Sequence, residues 1–479
     1  MTNVRERTSE IRRLGGDKAR PATLLRQLGI VSATALVISN MVGQGIFTST
    51  GYLAGQLGDV KLVLGIWVVG ALVALAGAFC YSELGINYPS SGGEYVYLTR
   101  AYGPTWGFMS GWVSFFAGFS APIAATALAF SQYLSHFFPA LNKDQAFFTL
   151  GSGALSLRLG GAQIAASGLI VVFTLLNCLG VGRVAKIQNL LTAANLMIIL
   201  GFIVFGFLAG SGSWEHFSQP ATRTSTIPLA AQFAISLFWI YVCYSGWNAS
   251  TYVAEELKRP ERTLPVALTY GTALVAGLYI ALNLVFIYAL PLEKMKDVMA
   301  IGSRAANALF RPETAGMFSG LVALALMASV NAMVTIGPRV YYAMAKNGAF
   351  FKSAGEVHPR WHTPVFAILC QGACAVLMTL TPFPDLILYI GFTLSFFAVL
   401  AVSSLFVFRR RAEWQKVRVV SFAFPLIPLV FILVGAWTIV YGVIYGLQKQ
   451  PVAPIAAIAT VALGALVYRL WLRPLRKPS

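Results

Sequence analysis

Four long stretches of this chain contain no Asp, Glu, Lys or Arg: residues 62–82, 104–142, 187–214 and 224–254. Each is long enough to cross the hydrocarbon core of a bilayer, for which a helix needs about 20 apolar residues. Apolar runs of this kind recur along most of the chain, so its side chains are suited to lipid and to each other rather than to water. With 57% hydrophobic and only 11% charged residues, and a mean hydropathy of +0.71, no soluble fold has the polar surface to cover such a core. Disorder, a coiled coil and a disulfide-rich secreted scaffold are excluded by the same composition. The fold class expected is an all-α polytopic membrane protein.

Reading with that window places about twelve spans. They lie near 28–56, 62–86, 104–137, 161–181, 187–210, 228–257, 264–290, 314–343, 364–381, 385–408, 422–446 and 452–471. Residues 1–27 are polar and lack the short apolar core and cleavage site of a signal peptide, so the first span is expected to stay attached. Twelve spans put both termini on one face. That face receives 26 of the 35 Lys and Arg residues, and the positive-inside rule then sets both termini in the cytoplasm, in a plasma or inner membrane. The net charge of +18 is therefore read as membrane orientation, not as a nucleic-acid surface. The cysteines (Cys80, Cys178, Cys243, Cys370 and Cys374) all fall inside apolar runs, where thiols behave as small hydrophobes, and no disulfide framework is expected. His136, His216, His358 and His362 lie in or beside loops without metal-ligand spacing, so no metal and no other cofactor is expected.

Two spans carry polar interruptions at their centres. In the first, Gly43-Gln44-Gly45 is flanked by Asn40 and Thr48; in the sixth, Ser245-Gly246 is followed by Asn248. Small residues in membrane helices often serve only close helix packing. Here glycine is combined with side-chain polarity at mid-membrane, where unmet backbone groups are costly unless they line a cavity. The interruptions also head consecutive five-span halves, and interrupted segments at matching positions of two halves point to a transport site.

An unwound helix has a chemistry of its own. It exposes N–H groups where one half-helix starts and C=O groups where the other ends. The amides and the positive dipole end favour a carboxylate; the carbonyls accept hydrogen bonds from an ammonium. A site with both matches the head of a zwitterionic α-amino acid without any ionised side chain.

The residues around these breaks carry a family resemblance. Tyr244-Ser245-Gly246-Trp247-Asn248 is followed by Glu255-Glu256-Leu257-Lys258-Arg259-Pro260-Glu261-Arg262-Thr263-Leu264-Pro265. Gly43-Gln44-Gly45-Ile46-Phe47, Tyr81-Ser82-Glu83-Leu84-Gly85, Ser91-Gly92-Gly93-Glu94-Tyr95, and Ser329-Val330-Asn331 leading to Arg339-Val340-Tyr341-Tyr342 complete the set. Between roughly Leu28 and Arg411 the chain resembles the L-type amino acid transporter group of the amino acid–polyamine–organocation superfamily. The resemblance implies a LeuT-type five-plus-five inverted repeat with interrupted helices 1 and 6. Residues 1–27 would be an N-terminal tail, 28–210 and 211–408 the two repeats, 409–472 the peripheral helices 11 and 12, and 473–479 a tail. It also implies exchange or facilitated uptake of amino acids, and no enzymatic activity.

By the same resemblance, substrate-binding residues are Met41, Gly43, Gln44, Gly45, Ile46, Val242, Ser245, Gly246 and Asn248. The amides of Gln44 and Gly45 would hold the carboxylate. The carbonyls of Met41 and Val242, with Ser245, would take the ammonium. Phe119, Ser120 and Val399 fall where the family lines the side-chain pocket. Four positions depart from the family pattern. Gln44 replaces a common serine. Val242 stands at the gating aromatic, which leaves Trp239, Tyr241 or Phe238 as the occluding ring. Asn195 stands where many relatives carry a fifth-span lysine. Residues 138–160 hold no cysteine, whereas animal relatives use one there to bond a helper glycoprotein, so no disulfide-linked accessory subunit is expected. The expected partners are an amino acid substrate and the lipid bilayer.

Glu83, Glu255 and Glu256 close their spans near Arg100, Lys258 and Arg339 and are expected to form structural or gating ion pairs rather than a proton relay. Arg409-Arg410-Arg411 reads as a stop at the cytoplasmic face, and Asn177, Asn283 and Asn331 as contacts between helices. Competing readings are a carrier of cationic or modified amino acids, a proton-coupled symporter and a non-transporting amino acid sensor. The absence of a nucleophile–base pair or metal cluster speaks against a membrane enzyme.

Overall fold

The computed structural model describes residues 23–142, 145–151, 156–298, 300–310, 314–449 and 451–472. Much of the basic N-terminal tail and the segment 473–479, on which part of the charge asymmetry rests, lie outside these residues. The described chain contains 11 helices long and apolar enough to cross a membrane, with a shorter apolar helix at Val365–Met378. Its 14 residues rise about 21 Å, less than the roughly 30 Å hydrocarbon core. Numbered in chain order with this shorter helix as the ninth, the apolar helices fall near the apolar runs of the sequence. The chain is thus a multi-pass, all-α membrane protein with one small addition: strands Ala146–Leu150 and Leu157–Gly160 pair antiparallel between the third and fourth spans.

Local chemistry sets the helix ends. The Asp59 carboxylate accepts the Leu62 N–H (3.1 Å) and starts the second span, Val60–Asn87, which stops just before Pro89. The seventh, Pro260–Ala289, opens with proline in its first turn, where the missing N–H is no loss. The third is irregular. Pro104–Val113 passes into a π-helical stretch, Ser114–Ser120, and resumes as Ala121–Leu134. The second span packs on the seventh and the third on the eighth.

Polar side chains tie the bundle together. Asn177 Nδ2 donates to Asn331 Oδ1 (2.9 Å), Asn331 Nδ2 to Gln188 Oε1 (2.8 Å) and Thr335 Oγ1 to Asn177 Oδ1 (2.8 Å). Gln188 Nε2 reaches Thr192 Oγ1 (3.2 Å), which meets Ser39 Oγ at 2.7 Å, just before the first-span break. Thr50 Oγ1 donates to Asn283 Oδ1 (2.6 Å). The three asparagines are the helix-to-helix contacts expected of them.

Of the interfacial acids, Glu256 pairs with Arg339 (2.7 Å), both buried. Glu83 pairs with Arg409 (2.6 Å) rather than with Arg100, and also accepts from Trp414 Nε1 and the Val417 N–H. Arg409 is therefore more than a stop signal: it closes the end of the tenth span onto the second. Glu255 accepts from Ser90 Oγ and the Ser91 N–H.

Candidate functional site

Both central interruptions are real breaks in the helix. The first span runs as Ile30–Met41, turns at Val42 and Gly43, and restarts as Gln44–Leu57. Gly43 precedes the second half in extended geometry without a side-chain cap, so the first amides of Gln44–Leu57 stay free of side-chain partners. The sixth span runs as Leu229–Tyr244, turns through Ser245–Asn248 and continues as a 3₁₀ segment, Ala249–Glu256. Gly246 makes the turn possible with φ of +105°.

The two breaks are pressed together. A Cβ at Gly246 would lie 2.8 Å from the Asn40 backbone, and one at Gly45 would lie 2.7 Å from the Cys243 sulfur. Tyr279 of the seventh span clasps both: its hydroxyl donates to the carbonyls of Met41 (2.6 Å) and Cys243 (3.2 Å). Tyr279 had no signal in the sequence, since a tyrosine in a span usually packs as an ordinary aromatic.

Between the breaks lies a cavity of about 320 Å³. Met41, Gly43, Gln44, Gly45, Val242, Ser245, Gly246 and Asn248 line it, as do Phe119, Trp239 and Tyr241. Gln44 does not project freely into the cavity; its Oε1 accepts from Thr126 Oγ1 of the third span (2.9 Å). Trp239 stacks obliquely on Tyr52, ring centres 5.5 Å apart, towards one end. Tyr52 is a lining residue that the motif reading did not reach.

Five positions named from sequence fall outside the lining. Ile46 is fully buried in the apolar core. Ser120 is buried behind the wall. The wider π-helical turns of Ser114–Ser120 shift the helical phase, and the third span presents Ser114, Gly118 and Phe119 instead. On the tenth span Ala398, not Val399, faces the cavity; Val399 packs against Gly435. One residue is about 100° of helix rotation, which suffices to turn a side chain away. Phe238 packs on Phe392 (4.9 Å between ring centres) and Gly442, so the candidates for an occluding ring narrow to Trp239 and Tyr241. Asn195 is 1% exposed, away from the cavity, and its side-chain amide has no hydrogen-bond partner among the described residues.

The largest departure from the sequence reading is Glu94. It falls between the apolar runs 62–86 and 104–137, outside every span expected from the sequence. The structure places it in the cavity wall, on the helix Glu94–Tyr102. Gly92 and Gly93 turn the chain inward with φ of +124° and +50°, and a Cβ at Gly93 would lie 2.5 Å from the Tyr252 ring. The carboxylate accepts hydrogen bonds from Tyr81 Oη (2.9 Å), Asn248 Nδ2 (2.7 Å) and Tyr252 Oη (2.6 Å). Burial holds its pKa above the ordinary carboxylate value, against the lowering effect of those bonds. The signal in the sequence was the Gly-Gly pair immediately before a carboxylate. Among the described residues no group of His, Cys, Asp and Glu could hold a metal.

Comparisons with known proteins identify the family. A family model described as amino acid permease matches residues 28–467. The serine/threonine exchanger SteT of Bacillus subtilis (strain 168) is 31% identical over 420 residues, covering 86% of this chain and 89% of the relative. Large neutral amino acids transporter small subunit 2 of Mus musculus is 28% identical over 478 residues, covering 95% and 83%. The b(0,+)-type amino acid transporter 1 of Mus musculus is 26% identical over 450 residues, covering 92% and 88%. A chain that carries two facing helix breaks around one cavity is thus matched along nearly its whole length by one family: this protein belongs to the amino acid permeases.

Proposed function

We propose that this protein exchanges neutral α-amino acids across the plasma membrane by alternating access. The observation that carries this reading is the contact of the two breaks across one cavity. The free amides at the start of Gln44–Leu57 suit the substrate carboxylate. The Val242 carbonyl suits its ammonium: it accepts one hydrogen bond, from the Ser245 N–H, and a carbonyl oxygen has two lone pairs. The Met41 carbonyl already accepts from both Tyr279 Oη and the Gly43 N–H, so there the ammonium would have to replace one of them. The substrate side chain would then lie among Phe119, Trp239, Tyr241 and Ala398.

Alternating access follows from the same parts. Residues 28–210 and 211–408 would be inverted halves, with 409–472 peripheral. This is supported by breaks at the first span of each half and by packing between like-numbered members, the second on the seventh and the third on the eighth. The basic excess on the face of the termini supports a cytoplasmic location for both. Residues 138–160 contain no cysteine, which supports a carrier without a disulfide-linked partner, although the murine relative is named a small subunit. Among the described lining residues no Ser, Thr or Cys is hydrogen-bonded to a His, Asp or Glu, in keeping with carriage rather than catalysis. One observation favours a second reading: Glu94 gives the cavity a carboxylate, which would suit a cationic side chain.

The test is counterflow in proteoliposomes. Uptake of labelled serine, threonine or leucine is expected to rise when the same amino acid is loaded inside. Uptake that ignores internal amino acid and follows an imposed pH gradient would refute exchange. Stronger competition by lysine or arginine than by leucine would favour the cationic reading.

A further inference from the structure

Each buried carboxylate at the ends of the spans has a cation: Glu83 has Arg409 and Glu256 has Arg339. Glu94 does not. It is 6% exposed, lines the cavity, and forms no ion pair among the described residues. The titratable side chains facing it are Tyr81 from the second span, Tyr97 from its own helix, and Tyr241 and Tyr252 from the sixth. The walls contributed by the third, eighth and tenth spans present no ionisable group to the cavity. A buried charge without a partner is costly, so the compensating positive charge must come from outside the fixed structure.

Two features favour a proton over a substrate cation. First, the carboxylate already takes three hydrogen bonds, and the Phe119 ring stands edge-on to Tyr252 at 5.3 Å, so a guanidinium or ammonium has little room. Second, each partner can reverse its role. A tyrosine hydroxyl accepts as well as donates, and the Asn248 amide carries an acceptor oxygen. The cluster can therefore satisfy a neutral carboxyl as well as a charged one, which a lysine or arginine partner could not do. Two of the three donors, Asn248 and Tyr252, belong to the segment just past the sixth-span break, the part that alternating access has to move.

We infer that Glu94 binds and releases a proton in the transport cycle, and that its charge state sets whether the segment Asn248–Glu256 is latched to the cavity wall at Glu94. This rests on the carrier reading. Ionised, the carboxylate accepts all three bonds and the segment is held. A proton from cavity water bonds to one carboxylate oxygen, the charge is neutralised, and the carboxyl becomes a donor to Tyr252 or Asn248. The charge-assisted bonds are then lost and the segment is freed.

The experiment compares wild type, Glu94→Gln and Glu94→Asp in proteoliposomes, with exchange measured from acid to neutral pH. Infrared difference spectra on the same proteins detect a protonated carboxyl directly. Wild type is expected to follow a single-proton profile, with a limiting slope of about tenfold per pH unit. Glu94→Gln should be flat and lack the titrating carboxyl band; Glu94→Asp should keep both with a displaced midpoint. A Glu94→Gln profile that still follows the wild-type pH dependence overturns the inference and makes Glu94 a structural acceptor. Loss of competition by lysine and arginine in Glu94→Gln, with the pH profile intact, overturns it in favour of a side-chain counter-ion. If Glu94→Gln does not fold, the band decides: a wild-type spectrum without a titrating carboxyl that shifts in Glu94→Asp contradicts the assignment. Failure of wild type to exchange at any pH would instead sink the carrier reading, and the band would still report on the proton.

Discussion

Arg339→Ala is expected to destabilise the protein by about 3–5 kcal/mol, the usual effect of stranding one member of a buried ion pair. Arg339 is 1% exposed and Glu256 is fully buried, with Nε 2.7 Å from Oε1 and Nη2 3.4 Å from Oε2. Nη1 also donates to the Thr335 carbonyl at 2.6 Å. Without the guanidinium, the Glu256 carboxylate stays in a low-dielectric interior with no counter-charge. The loss should be visible as a fall in thermal stability in detergent, well beyond that of an exposed substitution such as Lys258→Ala. The double variant Arg339→Met with Glu256→Gln removes both charges and should recover most of the loss. The location makes the pair more than a staple. The Glu256 carbonyl accepts the Leu28 N–H (2.9 Å) and the Leu28 carbonyl accepts the Lys258 N–H (2.9 Å), so backbone bonds fix the end of the sixth span to the start of the first while the ion pair fixes it to the eighth. Recovery of stability by the double variant without recovery of transport would show that the charges also serve movement.

Gly246→Ala is expected to leave a folded protein that transports about 100-fold less, the scale of loss when a reacting or binding group is displaced by about 1 Å. At φ of +105° a side chain is strained whatever the space around it, and here a Cβ would meet the Asn40 backbone at 2.8 Å. Backbone cannot rotate aside as a flexible side chain can. The sixth-span turn would have to lift off the first-span break, and the Val242 carbonyl would separate from the amides of Gln44 and Gly45. Binding, followed as ligand-induced thermal stabilisation, should be lost together with flux. Gly65→Ala, where a Cβ meets nothing within 4 Å, is the matched control and should behave as wild type. Normal binding in Gly246→Ala would show that the contact between the breaks is not needed for substrate recognition.

How much of this was legible in the sequence follows from what each feature depends on. The breaks were legible because Gly43-Gln44-Gly45 and Ser245-Gly246 put backbone freedom and polarity where a helix in lipid otherwise has neither. Their partnership with each other was legible only through their places on the first and sixth of the apolar runs. The π-helical stretch Ser114–Ser120 was not, because its residues, Ser-Phe-Phe-Ala-Gly-Phe-Ser, suit an ordinary helix equally well. Its shift of phase is what separates Ser120 from the cavity. Val399 failed for a simpler reason: position along a helix was right, direction was off by one residue. Glu94 was hidden by the hydropathy window itself, which assigns a charged residue between two spans to the water interface. Only the turn at Gly92 and Gly93 carries it inward, and turns of that kind are set by tertiary contacts as much as by the two glycines.

The central claim is that main-chain groups at the two breaks grip both poles of a zwitterion. It is tested most directly by thermal stabilisation of the purified protein with a series of common amino acids and, for each one that binds, its N-acetyl and methyl-ester forms. The account predicts that the parent raises the melting temperature and that blocking either the ammonium or the carboxylate removes most of the rise. Equal stabilisation by parent and by both blocked forms would contradict it.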